Sequence, residues 1–281
     1  MIGSKTLRQV GTVTVLAGDG LTLHSFMAPE EGGEMTCSQV VETAGRLVVV
    51  DALHLRPHAR HLRRYVDGLG KPIDRVIVSH SHPDHWLGLE SFKDVPIHAL
   101  AETKEEITKA GPFVIRFKKP QYGDQVADEA VIPTVTVEAG RERIDGIEFV
   151  FRKITDAESP VMLIVELPEH KVLIAQDLVY NQVYPCVGEK NAAGAYLFDG
   201  WVRALEELGK GDYEVVLPGH GEPTDKSSFA AVSAYVKEAG RLFEAGVGEE
   251  ELKRRMAAAY PGYRVPEMLD LSNLFLFHRD W

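Results

Sequence analysis

Cysteine is almost missing from this chain: Cys37 and Cys186 are the only two in 281 residues. They stand far apart and in no Cys-x-x-Cys spacing, which excludes a disulfide framework and a thiolate zinc site. A disulfide between them stays open, and two buried free thiols are the expectation. Long apolar runs are missing too. No stretch reaches the roughly 18 residues that a membrane-crossing helix needs, so no membrane partner is expected. Positive charge is in short supply: 31 Lys and Arg face 42 Asp and Glu, a formal balance of −11. That balance argues against nucleic acid or an anionic membrane as the main partner. The first residues, Met1 to Gln9, carry two basic side chains with no apolar run behind them, so a cytoplasmic location is expected. There is no short fixed repeat and no low-complexity tract. What remains, at 44% hydrophobic and 26% charged, is an ordinary globular composition with material for a sizeable core.

The densest chemistry lies in Ser79-His80-Ser81-His82-Pro83-Asp84-His85-Trp86-Leu87-Gly88. Three imidazoles and one carboxylate fall within six positions, directly after the apolar run Arg75-Val76-Ile77-Val78, which reads as a buried strand. Imidazole is the commonest protein ligand for zinc, and carboxylate is a frequent companion. Residues i and i+2 of a strand share a face, so His80 and His82 can aim at one point. The turn at Pro83 then sends Asp84 and His85 to a second point nearby. That layout suits two metal ions sharing one site, one way to hydrolyse an ester, amide or phosphate.

Around this cluster strands and helices alternate, as in a layered α/β fold. Val10 to Leu16 and Leu21 to Phe26 flank Gly18-Asp19-Gly20 as a hairpin. Ala28 to Met35 reads as a loop. Ser38 to Thr43 and Arg46 to Asp51 read as strands, with Asp51 either near a metal site or capping the next turn. A helix is predicted over 57–69, with Pro57 near its start and Gly70 as its stop. A short helix follows the histidines over 86–92, then a strand over 95–99 and a helix over 101–110. Gly111 to Asp128, broken by Lys118-Lys119-Pro120 and Gly123-Asp124, reads as a loop-rich excursion bordering a pocket. Strands are predicted over 130–137, 147–154, 160–167 and 171–175, with Asp177 just after the last. A helix over 198–208, a strand over 214–217 and the abrupt loop Pro218-Gly219-His220-Gly221 follow. Two helices, 226–244 and 249–260, and an amphipathic tail, 265–277, close the chain.

On these residues the chain resembles the metallo-β-lactamase superfamily of metallohydrolases. The likeness rests on His80-x-His82-x-Asp84-His85, on Asp177 after a strand, and on Pro218-Gly219-His220-Gly221. Val40-Val41-Glu42-Thr43, the turn at Gly45-Arg46 and Leu47 to Asp51 look like the paired strands that open that family's fold. The resemblance spans roughly residues 10 to 225. It implies an αββα sandwich, two mixed β-sheets flanked by helices, over 1–225, with 226–281 as a helical extension packing on the same domain. The family's third histidine, in a Gly-His-Thr-Pro segment, is missing: Ala157-Glu158-Ser159-Pro160 stands in its place. Either Glu158 replaces it as an oxygen ligand, or Asp156 does, or the first metal has lost a protein ligand. Glu158 is preferred, because an ionised carboxylate in the pocket without a cation beside it is costly.

Carried over, the resemblance implies one metal held by His80, His82 and Glu158, a second held by Asp84, His85 and His220, and Asp177 bridging the two. Two zinc ions are expected, and a carboxylate in place of an imidazole tilts the site toward manganese or iron. Asp84 or Asp177 would shuttle the proton of a metal-bridging hydroxide. Tyr180, three residues after Asp177, either aims at the developing oxyanion or lines the wall. Trp86 reads mainly as packing. His54, His58 and His61 have helical spacing, but Arg56, Arg60, Arg63 and Arg64 make the segment read as a basic solvated face. Lys118-Lys119 reads as a solvated pair. The expected activity is hydrolysis of a small-molecule ester, lactone, thioester or amide. Phe113, Phe117, Leu274, Phe275 and Phe277 hint at a partly apolar substrate. An iron-dependent oxidoreductase and a catalytically degenerate metal-binding protein are the alternatives. A homodimer is left open.

Overall fold

The computed structural model describes residues 2–7 and 10–278. Among them, the first sheet holds eight strands in chain order: β1 (Ile2–Leu7), β2 (Gly11–Ala17), β3 (Thr22–Met27), β4 (Cys37–Glu42), β5 (Leu47–Val50), β6 (Ile73–Val78), β7 (Ile97–Ala99) and β8 (Val135–Thr136). β1 to β5 pair antiparallel, and β5 to β8 pair parallel. The second sheet, in the order β13-β12-β11-β10-β9, comprises β9 (Gly140–Ile144), β10 (Ile147–Thr155), β11 (Val161–Leu167), β12 (Val172–Tyr180) and β13 (Val215–His220). Its β12–β13 pair is parallel and the others antiparallel. A single turn, α1 (Glu30–Gly33), precedes β4. The longer helices are α2 (Arg56–Asp67), α4 (Ala101–Tyr122), α5 (Phe198–Leu208), α6 (Ser227–Glu244), α7 (Glu249–Ala259) and α8 (Glu267–Phe277), with the one-turn α3 (Pro83–Trp86) after β6.

Alternation along buried strands explains the layering. In β5, Leu47 and Val49 join Leu62 and Val66 of α2 and Ile107 of α4 in one core. Val48 and Val50 point the other way, into a core shared with Phe149, Phe151, Leu163, Val165 and Ile174 of the second sheet. The far face of that sheet, with Met162, Ile164, Leu173 and Ala175, packs on Trp201, Leu205, Val236, Met256 and Leu269 of α5 to α8. Helices, sheet, sheet and helices thus form four layers, the αββα sandwich. Both cysteines are buried free thiols.

Three local expectations need correction, and one strand was not foreseen. Gly111 to Asp128 is not mainly loop: α4 runs on to Tyr122 through Pro112 and Pro120. Thr103, Ile107, Gly111 and Ile115 recur every fourth residue on its buried side, and this stripe outweighs the hydrogen bonds that the two prolines cannot make. Of the strand expected over 130–137, the ladder keeps Val135–Thr136. β12 runs to Tyr180, so Asp177 lies inside it, in a stretch where the register to β13 shifts around Gln176. Finally, Gly140–Ile144, charged and mostly exposed, forms an edge strand that carries no alternating apolar signal.

Candidate metal centre

The expected ligands meet at one rim of the sandwich. His80, His82, Asp84 and His85 follow β6, Glu158 sits between β10 and β11, Asp177 lies in the irregular end of β12, and His220 ends β13. One ligand atom each from His80, His82, Glu158 and Asp177 lies within 4.8 Å of the others, and the same holds for Asp84, His85, Asp177 and His220. All seven residues are therefore brought together, with Asp177 in both groups. Asp156 joins neither group. Each half offers two imidazoles and two carboxylates, counting Asp177 twice.

The distances are short throughout. His80 Nε2 lies 3.7 Å from Glu158 Oε2 and 3.7 Å from Asp177 Oδ2. His82 Nδ1 lies 3.3 Å from Glu158 Oε1. In the other half, His85 Nε2 is 3.2 Å from Asp84 Oδ2 and 3.1 Å from Asp177 Oδ1. His220 Nε2 is 3.3 Å from both Asp84 Oδ2 and Asp177 Oδ2. Four of these inward atoms, His80 Nε2, His85 Nε2, Glu158 Oε2 and Asp177 Oδ1, are buried without a hydrogen-bond partner. A buried polar atom left unbonded costs about 1–3 kcal/mol. A cation among these nitrogens and oxygens would satisfy them at once, and the donor set suits zinc, manganese or iron. The residues present fit a metal.

The outward ring nitrogens are engaged. His80 Nδ1 meets Ser79 Oγ at 2.8 Å, His85 Nδ1 meets Asp51 Oδ2 at 2.8 Å, and His220 Nδ1 donates to the Glu34 carbonyl at 2.8 Å. Such contacts orient a ring and choose the tautomer that leaves Nε2 free for a metal. Asp51 is the hub, as it also accepts from Ser79 N at 2.7 Å, from Ser79 Oγ at 2.6 Å and from Gln176 Nε2. Thr36 Oγ1 donates to Asp84 Oδ2 at 3.0 Å. Of these partners only Asp51 had a signal in the sequence, as a carboxylate ending a buried strand. Glu189, which lies 3.4 Å from His82 Nε2, had none.

Charge in the metal-free cluster is divided unevenly. Burial, reinforced by His85 and His82, drives His80 well below the usual imidazole range. Burial acts the same way on His85, but Asp177, Asp84 and Asp51 overcome it and push that ring well above the usual imidazole range. His220 is pushed up to about 10, where Asp177 and Asp84 outweigh burial. Glu158 is pushed up to about 7 by burial, against the pull of His82. Asp84 and Asp177 resist burial and stay well below the usual carboxylate range because of His85 and His220.

Neighbouring residues take definite places. Tyr180 donates to Asp177 Oδ2 at 2.8 Å and stacks on His220 with centroids 4.6 Å apart. Its hydroxyl therefore braces the shared carboxylate. Trp86 is buried packing, its indole donating to the Ser81 carbonyl at 2.9 Å. His54 and His58 correct the reading of their segment as a solvated face, since both are buried; neither joins a metal-competent group among the described residues. The glycine of Pro218-Gly219-His220 has a steric reason: a Cβ there would stand 1.7 Å from Asp177 Oδ1.

Comparison with known proteins bears on the family and the fold. The family model for the metallo-β-lactamase superfamily matches residues 33–220. The linear primary-alkylsulfatase of a Pseudomonas species is 23% identical over 219 residues, covering 66% of this chain and 41% of that protein. The alkyl/aryl-sulfatase BDS1 of Saccharomyces cerevisiae is 23% identical over 186 residues, covering 53% of this chain and 29% of that one. The chain thus spans less than half the length of these curated relatives. Among solved structures, a metallo-β-lactamase from Pontibacter korlensis superposes with a TM-score of 0.58 at 17% identity, covering 84% of this chain and 99% of that one. The mono-zinc form of the metallo-β-lactamase FIM-1 from Pseudomonas aeruginosa gives 0.58 at 14% identity, covering 81% and 96%. These likenesses are of fold. With the model match reaching from α1 to His220, through every element that carries the cluster, the chain belongs to the metallo-β-lactamase superfamily.

Proposed function

We propose that the protein is a metal-dependent hydrolase of a small-molecule ester, with His80, His82 and Glu158 holding one cation, Asp84, His85 and His220 a second, and Asp177 between them. The carrying observation is the convergence of four buried, unbonded ligand atoms from segments far apart in the chain. A bound cation pair would supply a nucleophile at neutral pH and polarise the scissile bond. Asp84 then has a defined task. Thr36 anchors its Oδ2, and beside a bound cation the carboxylate would stay ionised, so it would accept the proton of the attacking water and return it to the leaving alcohol. Tyr180 holds Asp177 in register, and Asp51 holds His85.

The sulfatase names of both curated relatives add the sulfuric ester to the bonds considered, and a primary alkyl sulfate fits a partly apolar substrate. The glutamate at 158 keeps a harder ion than zinc in play, since oxygen donors suit manganese and iron. The test is elemental analysis of the purified protein, followed by turnover assays on 4-nitrophenyl acetate, 4-nitrophenyl sulfate and dodecyl sulfate. Two equivalents of zinc or manganese with ester turnover, lost in Glu158→Ala, is the expected result. Bound iron with oxygen consumption, or less than one equivalent of metal with no turnover, overturns it.

A further inference from the structure

One imidazole in the cluster is arranged differently from the rest. His80, His85 and His220 turn Nδ1 outward onto Ser79, Asp51 and the Glu34 carbonyl and leave Nε2 inside. His82 does the reverse. Its Nδ1 faces Glu158 Oε1 at 3.3 Å, and its Nε2 faces Glu189 Oε1 at 3.4 Å. Glu189 is buried, and it belongs to a segment that comes from outside the ligand-bearing strands. That segment is tightly built. Leu197 N donates to the Glu189 carbonyl at 3.1 Å, and Asn191 Oδ1 accepts from Ala193 N and Ala195 N, both at 3.1 Å. It is also fastened to α8: Val187 N donates to Ser272 Oγ at 3.0 Å, and the Tyr196 hydroxyl donates to the Leu276 carbonyl at 3.0 Å. Between those anchors, Gly188 has a φ of +114°, and a Cβ there would lie 2.8 Å from Phe275 Cβ. The chain can press against α8 at this point only as glycine, and the next residue reaches back to His82.

We propose that Glu189 is a positioning residue for the first metal half: its carboxylate accepts a hydrogen bond from the Nε2–H of His82, leaves Nδ1 bare to ligate, and is held in place by the C-terminal helix α8. This rests on the proposed reading of the cluster as a metal site. A carboxylate behind a ligating imidazole fixes the ring's tautomer and angle and raises its basicity, and losing one lowers metal affinity by about 10–100-fold. The other half gains nothing from Glu189, because His85 and His220 have their own partners. One half of the centre therefore depends on a helix that contributes no ligand.

The experiment is a titration of the metal-stripped protein with zinc against a chromophoric chelator, with the cobalt form followed by its visible absorption. Wild type should take up two equivalents; failure at this stage removes the metal reading itself and leaves Glu189 with no role. In Glu189→Gln one binding step should weaken by about 10–100-fold while the other stays, with the melting temperature of the metal-free protein unchanged. Glu189→Asp should recover part of the loss, and Ser272→Ala and Tyr196→Phe should weaken the same step by a smaller factor. Two unchanged steps in Glu189→Gln, or an equal fall in both together with a lower melting temperature of the metal-free protein, overturns the inference. A normal step in both α8-anchor variants overturns the part assigned to α8.

Discussion

Asp84 and Asp177 face the same imidazoles but have different second partners. Asp84 is bonded by the short Thr36 hydroxyl at the rim, and Asp177 by Tyr180 from within. Asp84→Asn is therefore expected to lower turnover by about 10²–10⁴-fold, the usual worth of a proton-transfer group, and to lower uptake of the second cation but not of the first. Asp177→Asn is expected to lower both, and metal analysis beside steady-state kinetics separates the two. Metal uptake should also depend on pH. In the metal-free protein Glu158 is pushed up to about 7 and His220 up to about 10, so both bind protons that a cation must displace. Apparent zinc affinity should rise as pH increases between about 6 and 9, with protons released on binding. Calorimetry in buffers of different ionisation enthalpy reads this directly, and proton uptake would contradict it. His54 carries a separate prediction for folding. Burial lowers it to about 3 from the ordinary value of 6.5, and neither ring nitrogen is hydrogen-bonded. Folded His54 stays neutral where the unfolded chain is protonated, so its contribution to stability is intact above about pH 6.5 and is lost as pH falls from there toward 3. In His54→Gln, unfolding free energy from urea titrations should fall less steeply over that window, by up to about 1.4 kcal/mol per pH unit.

Single elements show where sequence patterns carry information and where they mislead. The β12–β13 pair brings Asp177 and His220 together only because Gly219 leaves room for the Asp177 carboxylate. Gly219→Ala should abolish metal binding in a protein that still folds, measurable as metal content beside far-ultraviolet circular dichroism. Over Gly111 to Asp128, Lys118-Lys119-Pro120 and Gly123-Asp124 suggested a loop, because such residues usually punctuate structure. The stripe Thr103, Ile107, Gly111, Ile115 of α4 leads into that stretch and proved the stronger signal. Ile107→Ala should cost about 2–5 kcal/mol, as for other buried aliphatic truncations, read from urea midpoints. β9 had no legible pattern, since its side chains are mostly exposed. Asp177 was legible as a candidate ligand from the family resemblance but not as a residue within a strand, because the register shift around Gln176 depends on β13 alongside.

At the scale of the molecule, the centre joins both sheets across the sandwich. The end of β6 delivers four of the proposed ligands from the first sheet, and β12, β13 and the β10–β11 turn deliver three from the second. A cation bound there links the two layers, so metal should stabilise the whole fold. At a free metal concentration about 1,000 times the dissociation constant the gain is about 4 kcal/mol. Chelation should lower the thermal midpoint by several degrees, and zinc should restore it. An unchanged midpoint in a protein that binds metal would mean that the cage is rigid without it and that the sheets are held by their apolar core alone.

The four-layer architecture was legible only through the family likeness, and the cluster His80-x-His82-x-Asp84-His85 with the strand that leads to it through the chain's own local pattern. That pattern is short-range: alternation, helical spacing and ligand types within a few residues of each other. Tertiary structure decided that Glu158 and not Asp156 faces the imidazoles, that Tyr180 braces Asp177, and that Glu189 stands behind His82. Each of these is a tertiary contact, between segments remote in sequence for Glu158 and Glu189 and across the irregular end of β12 for Tyr180 and Asp177. Its existence depends on which way a bulge, a turn or a terminal helix points a side chain, and no local periodicity encodes that direction.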